Sequence, residues 1–201
     1  MVCYHQKMRK FKVVLLGNSG VGKSSLMFYA QNGTHKTDID TTVGCDFQAR
    51  NVTLANQEIV RMLVWDTAGQ EVFRAFVQNF VRNCKAAIVC YDVTSMQSYE
   101  SVTEWADLAR REQAQLIIVG NKCDQISRVV SRKAGQNLAD QLKAHAFIET
   151  SAVTGDAVDT VFQKTAEAVV AIISTESAIC PPAVSLRHTQ PNRSMPCCNI
   201  F

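Results

Sequence analysis

Gly17-Asn18-Ser19-Gly20-Val21-Gly22-Lys23-Ser24 separates a run that reads as a buried strand (KFKVVLL, residues 10–16) from one that reads as a helix (SSLMFYAQ). In that strand-to-helix context it matches G-x-x-x-x-G-K-[ST]. Glycines at these positions let successive N–H groups turn inward as a nest for phosphate oxygens, with a helix N-terminus behind them. Lys23 supplies a point charge for β- and γ-phosphates, and Ser24 offers a hydroxyl to Mg2+. The loop implies a nucleoside triphosphate without saying which base.

Outward from that loop the chain alternates between two periodicities. VTLANQEIVRMLVWD reads as two strands joined at Ala55 and Asn56, and KAAIVCYDV, QLIIVGN and AFIETS are short apolar runs with polar ends. Helical spacing covers residues 96–112, 131–144 and 156–174, the last with Val158, Val161, Phe162 and Ala166 on one face. Strand alternating with helix predicts an α/β fold with a mostly parallel sheet and one early hairpin. Ligands of such sheets bind off the carboxyl ends of the strands, so each motif should fall just after a strand. From residue 175 onward the periodicity gives way to a segment rich in Pro, Ser and Thr. The expected organisation is an N-terminal extension (1–9), one domain (10–174) and a flexible tail (175–201).

Two further motifs sit at strand ends. Asn121-Lys122-Cys123-Asp124 closes QLIIVGN. A carboxylate at Asp124 can accept from guanine N1–H and the 2-amino group together. Adenine has neither donor and would leave it unpaired, which is costly, so an ATPase or adenylate-type kinase on the same loop is disfavoured. Lys122 can lay its aliphatic stem along the base. Trp65-Asp66-Thr67-Ala68-Gly69-Gln70-Glu71 ends another strand. Asp66 suits the outer sphere of Mg2+, Gly69 allows an N–H close to a γ-phosphate, and Gln70 can orient a water.

With Thr41-Thr42-Val43-Gly44 and Glu149-Thr150-Ser151-Ala152, these motifs closely resemble the Ras-superfamily small GTPases from about Lys10 to Ser174. GNSGVGKSSL, TTVGCDF, WDTAGQE, KAAIVCYDVT and ETSAVTG are near-matches to the Rab family in particular. The interval between Asp124 and Ser151 has no room for the extra helix of Rho proteins. The resemblance implies a P-loop NTPase fold, with a six-stranded mostly parallel sheet flanked by about five helices. It implies that Ser19, Gly20, Val21, Gly22, Lys23, Ser24 and Ser25 hold the phosphates. Ser24 and Thr42 would coordinate Mg2+, and Asp66 would support it through water. Thr42 and Gly69 would touch the γ-phosphate and spring-load switch segments near residues 34–47 and 67–82. Gln70 would position the attacking water, with Lys23 and Thr42 completing the catalytic set. Asn121, Lys122, Asp124, Ser151 and Ala152, together with His35 and Val153, would surround guanine.

The activity implied is slow hydrolysis of GTP to GDP and phosphate by a molecular switch in vesicle and membrane trafficking. A Ras-like signalling GTPase at the plasma membrane is the alternative, and intact Gln70 argues against a module that merely holds GTP. Implied partners are an exchange factor, a GTPase-activating protein, effectors, and prenylation and membrane-extraction chaperones, the chain itself being monomeric. Segment 34–47 holds no arginine, the next being Arg50, so no finger in cis is expected. Three positions depart from the family pattern. His35 stands where relatives place an aromatic ring, which predicts faster nucleotide release. Val153 stands where Lys is common. Val72, Phe80 and Val81 replace the usual Arg and paired tyrosines. Phe47, Trp65, Phe73, Phe76 and Phe80 are the expected apolar effector surface.

Composition closes off other classes. A net charge of +3 over 201 residues, with no long basic run, excludes nucleic acid as the main partner. No stretch approaches the roughly 20 continuous apolar residues that span a bilayer. The eight cysteines include no Cys-x-x-Cys pair, and Cys45, Cys84 and Cys90 are expected as small buried hydrophobes in a reducing cytosol. Cys198-Asn199-Ile200-Phe201 reads as C-a-a-X favouring geranylgeranyl. One prenyl chain holds a membrane only marginally and the tail has no polybasic patch, so a second lipid on Cys197 is expected. The chain would then work at the cytoplasmic face of intracellular membranes, with a cytosolic pool.

Overall fold

Strand β1 (Arg9–Leu16) is apolar on both faces because it lies between two parallel neighbours in the middle of a sheet with helices on each side. The computed structural model that reveals this describes residues 8–35, 45–67 and 74–179. After β1 come α1 (Lys23–Asn32), β2 (Cys45–Thr53), β3 (Ile59–Thr67), α2 (Arg74–Val81) and β4 (Ala86–Asp92). Then follow α3 (Met96–Glu100), α4 (Val102–Arg110), β5 (Gln115–Asn121), α5 (Arg132–Gln141), β6 (Ala146–Glu149) and α6 (Val158–Ile179). The six strands form one sheet in the order β2-β3-β1-β4-β5-β6. Only the β2–β3 hairpin is antiparallel among them. Strand order reverses around β1, which puts the ligand crevice off its carboxyl end.

The period of two along β1 sorts its side chains into two cores. Phe11, Val13 and Leu15 join Leu26 and Met27 of α1 and Val158, Val161, Phe162 and Ala166 of α6. Val14 and Leu16 face the other way and pack with Val77 and Val81 of α2, Trp105 and Ala109 of α4, and Ala139 of α5. Each fully buried Val, Leu or Phe contributes about 1.5–3 kcal/mol relative to exposure, so the sheet is held from both faces.

Most elements lie where the sequence places them, with four differences. The helix expected over 96–112 is divided at Ser101, whose hydroxyl bonds back to the Gln97 carbonyl at 2.9 Å, a pattern that bends helices. Helix α2 forms within a stretch that the sequence marks only as a switch segment. Helix α6 continues past Ser174, the expected end of the domain, to Ile179. Cys84 and Cys90 are buried as expected, but Cys45 is only half-buried: it opens β2, which is an edge strand of the sheet among the described residues.

Gly135 on α5 packs tightly against β4 and β6. A Cβ there would run into the Phe147 ring and the Tyr91 hydroxyl. Overpacking by rigid neighbours costs about 1–3 kcal/mol, against the roughly 1 kcal/mol that alanine gains over glycine in a helix. Gly135→Ala should therefore lower the unfolding free energy in a urea titration, by up to about 2 kcal/mol.

Candidate functional site

The loop after β1 is shaped by glycines whose backbones lie in the left-handed region. Gly17 has φ 136° and sits so close to β4 that any Cβ would strike the Cys90 carbonyl. Gly22, at φ 92°, is the N-cap of α1, and a Cβ there would strike the Asn121 amide. No side chain caps α1 among the described residues, so its first N–H groups face the loop. Ser19 and Gly20 are exposed, Gly22, Ser24 and Ser25 are half-buried, and Val21 is buried in the core beneath them.

Lys23 folds over its own loop. It is 5% exposed, and its ammonium donates to the carbonyls of Gly17 and Asn18, both at 2.9 Å. Burial pushes it below its ordinary 10.5, with Asp66 opposing. Asp66, at the end of β3, is equally buried. Its Oδ2 accepts from the Ser24 hydroxyl, while Oδ1 has no hydrogen-bond partner among the described residues. Burial pushes the Asp66 carboxyl above its ordinary 3.8 despite Ser24 and Lys23. A buried carboxylate oxygen with an open valence, beside a hydroxyl and an ammonium, is chemistry that suits a hard divalent cation.

The loop after β5 is locked from below. Asn121 is 1% exposed and its Nδ2 donates to the Val21 carbonyl at 2.9 Å. Its Oδ1 accepts from the Thr150 hydroxyl at 3.1 Å and from the Ala152 N–H at 3.3 Å. Lys122 takes a left-handed φ of 64°, and its ammonium pairs with Asp92 Oδ2 at 2.7 Å. The other Asp92 oxygen accepts from the Thr94 N–H and hydroxyl. Burial alone would raise Asp92, yet these bonds from Lys122 and Thr94 hold it below its ordinary 3.8. Asp124 is exposed, and Gln125 donates to it at 2.7 Å. Burial opposes, but hydrogen bonds from Ser151 and Gln125 hold the Asp124 carboxyl down, so it is ionised at neutral pH. The Ser151 hydroxyl accepts from the N–H groups of Val153 and Thr154, closing the turn after β6. Val153 and His35 are exposed, and Ala152 is buried.

Thus Ser19, Gly20, Val21, Gly22, Lys23, Ser24, Ser25, Asp66, Asn121, Lys122, Asp124, Ser151 and Ala152 come from strand ends, the loops after them and the first turn of α1, at one end of the sheet. Thr42, Gly69, Gln70, Cys197 and Cys198 lie outside the described residues, as do Val72 and Phe73. Sequence reasoning missed Asp92 and Asn18. Asp92 carried a usable signal, being the polar residue that ends KAAIVCYD at a carboxyl strand end. Of the apolar surface residues, Phe47 is 47% exposed and stacks on Trp65 at 5.2 Å between centroids, and Trp65 meets Phe80 at 5.9 Å. Arg50 is engaged away from the site, by the Ala30 carbonyl and by Asp159 at 2.5 Å.

The family model for the Ras family matches residues 12–171. The chain is 40% identical over 161 residues to the Ras-related protein Rab-3 of Caenorhabditis elegans, covering 78% of this chain and 73% of that one. It is 38% identical over 159 residues to the Ras-related protein SEC4 of Candida albicans, covering 77% and 75%. It is 34% identical over 195 residues to the Ras-related protein RABD2c of Arabidopsis thaliana, covering 94% and 96%. This chain is a Rab-family small GTPase of the Ras superfamily. The Rab GTPase binds GTP and GDP, hydrolyses GTP, and acts in vesicle trafficking with regulators and effectors. The Rab and SEC4 relatives disfavour the plasma-membrane signalling alternative. Among the described residues, no helix is long and apolar enough to cross a membrane.

The Asp92–Lys122 pair carries a pH signature. Because Asp92 is depressed when folded, its stabilising contribution is complete above 3.8 and is lost as pH falls through its lower folded value. Asp92→Asn should therefore be less stable than wild type at neutral pH, with the gap in thermal midpoints closing between about pH 5 and 2.

Proposed function

We propose that this chain is a Mg2+-dependent GTP timer whose switch state selects partners on the cytoplasmic face of intracellular membranes. The observation that carries the cation is the buried Asp66 Oδ1 beside Ser24 and Lys23, an oxygen with no hydrogen-bond partner among the described residues. Ser24, Thr42 and, through water, Asp66 would hold Mg2+, which supplies charge neutralisation for the β- and γ-phosphates when bound. The backbone of residues 19–25 and the Lys23 ammonium cradle phosphate, with Lys23 leaving its two loop carbonyls to do so. Ionised Asp124 accepts from guanine, and the Lys122 stem, held by Asp92, lies along the ring. His35 and Val153 flank the base from exposed positions.

Gln70 orients the attacking water, with Lys23 and Thr42 stabilising the charge that develops. Arg50 is tied to α1 and α6 and does not supply a finger, which supports slow hydrolysis until an activating protein contributes one. Gamma-phosphate contacts from Thr42 and Gly69 order the segments on either side of the β2–β3 hairpin. Phe47 and Phe80 within those segments, with Trp65 between them, are the surface that effectors read. Lipid on Cys197 and Cys198, with prenylation and membrane-extraction chaperones, belongs to the same reading and localises the switch. A domain near residues 10–174, its last helix running on to Ile179, with a tail after it belongs to the same reading.

The cation reading is tested at Asp66. Its raised folded value means that charging it opposes folding, a cost present at neutral pH and relieved below 3.8. Asp66→Asn should raise the melting temperature of nucleotide-free, chelator-treated protein yet abolish the slowing of GDP release by added Mg2+. Retained Mg2+ dependence would contradict the assignment. The switch is tested by affinity capture with Gln70→Leu, locked with GTP, against Ser24→Asn, weak in nucleotide. Distinct partner sets are expected, and identical sets would remove the case for a switch.

A further inference from the structure

The Asn18 side chain reaches from the loop after β1 to α4. Its backbone carbonyl accepts from Lys23, but its amide is committed to α4: Nδ2 donates to Ser101 Oγ at 3.0 Å and Oδ1 accepts from Trp105 Nε1 at 2.8 Å. Ser101 is also the residue where α3 gives way to α4. Trp105 is almost fully buried, and a buried indole N–H requires an acceptor. The same indole lines, with Gln78, Glu104, Leu108 and Arg111, a cleft of about 150 Å³ between α2 and α4. A single side chain therefore bridges the phosphate loop and the helix pair that flanks the second switch.

Resting on the guanine-nucleotide reading above, we propose that Asn18 is a positioning residue for nucleotide retention. Through Trp105 and Ser101 it holds the loop carbonyls that steer Lys23, so the rate of GDP release is set in part from α4. The bond joins positions 87 residues apart, and its two anchors belong to different elements. A loop freed from this tie keeps its glycine nest but samples more conformations, which raises the escape rate without removing any phosphate contact.

The test is release of a fluorescent GDP analogue from the full chain with Mg2+, in a double-mutant cycle. Trp105→Phe keeps an aromatic side chain but removes the N–H together with the five-membered ring, so a thermal melt accompanies it to show that the variant is folded. Asn18→Ala deletes both bonds. Each should speed release about tenfold, equivalent to ~1.4 kcal/mol, and the double variant should release no faster than the faster single. Asn18→Asp keeps an acceptor for Trp105 and should restore a rate near wild type. Wild-type release rates in both single variants would overturn the proposal, as would multiplicative effects in the double variant or an Asn18→Asp no slower than Asn18→Ala. A wild-type chain that takes up no GDP would overturn the nucleotide reading as well.

Discussion

Beneath the loops at the carboxyl edge of the sheet, the Asn121 amide donates to the phosphate loop through the Val21 carbonyl and accepts from Thr150 and Ala152 after β6. Three segments distant in sequence are thereby held by one side chain with its hydrogen-bonding capacity largely used. A buried amide left half-satisfied costs about 1–3 kcal/mol, so this node resists local rearrangement. The proposed phosphate side and the proposed base side of the pocket share it. Any shift in one loop is felt by the other.

Around that node the site concentrates unfavourable electrostatics. Lys23 and Asp66 are both buried, and burial moves each towards its neutral form. Such a pair is a poor source of stability in itself, because desolvation consumes much of the Coulombic gain. It is a good receptor, since a polyphosphate and a divalent cation would compensate both charges at once. The phosphate half of the pocket is therefore built with unmet electrostatic demand, which fits a protein whose conformation follows its nucleotide.

The base side works by the opposite logic. Asp92 and Asp124 are held ionised by neighbouring donors, and Lys122 is pinned in a left-handed conformation with its charge directed to Asp92. On the proposed reading, what remains for a base is the Lys122 stem and the carboxylate of Asp124. Because the polar groups around them are already satisfied within the protein, recognition of a flat ring needs few moving parts. The aromatic group of exposed Phe47 and half-buried Trp65 and Phe80 lies on the hairpin and α2, apart from the Asp92–Lys122 pair.

Contiguous chemistry was legible in the chain alone. Gly17 to Ser24, Trp65 to Glu71 and Asn121 to Asp124 announce themselves because the residues that act together are adjacent, and because the alternation of apolar runs fixes their place at strand ends. The same local grammar predicted the parallel sheet and the hairpin at Ala55 and Asn56. It misjudged Cys45, whose burial depends on β2 being an edge, and it passed over Asn18 and Asp92. Their partners, Trp105 on α4 and Lys122 in the loop after β5, are distant in sequence, and no periodicity encodes who meets whom. The sequence by itself determined which groups the pocket contains. Only the tertiary structure decided which of them are buried, paired or left open, because those properties arise when parallel strands bring separate loops to one edge.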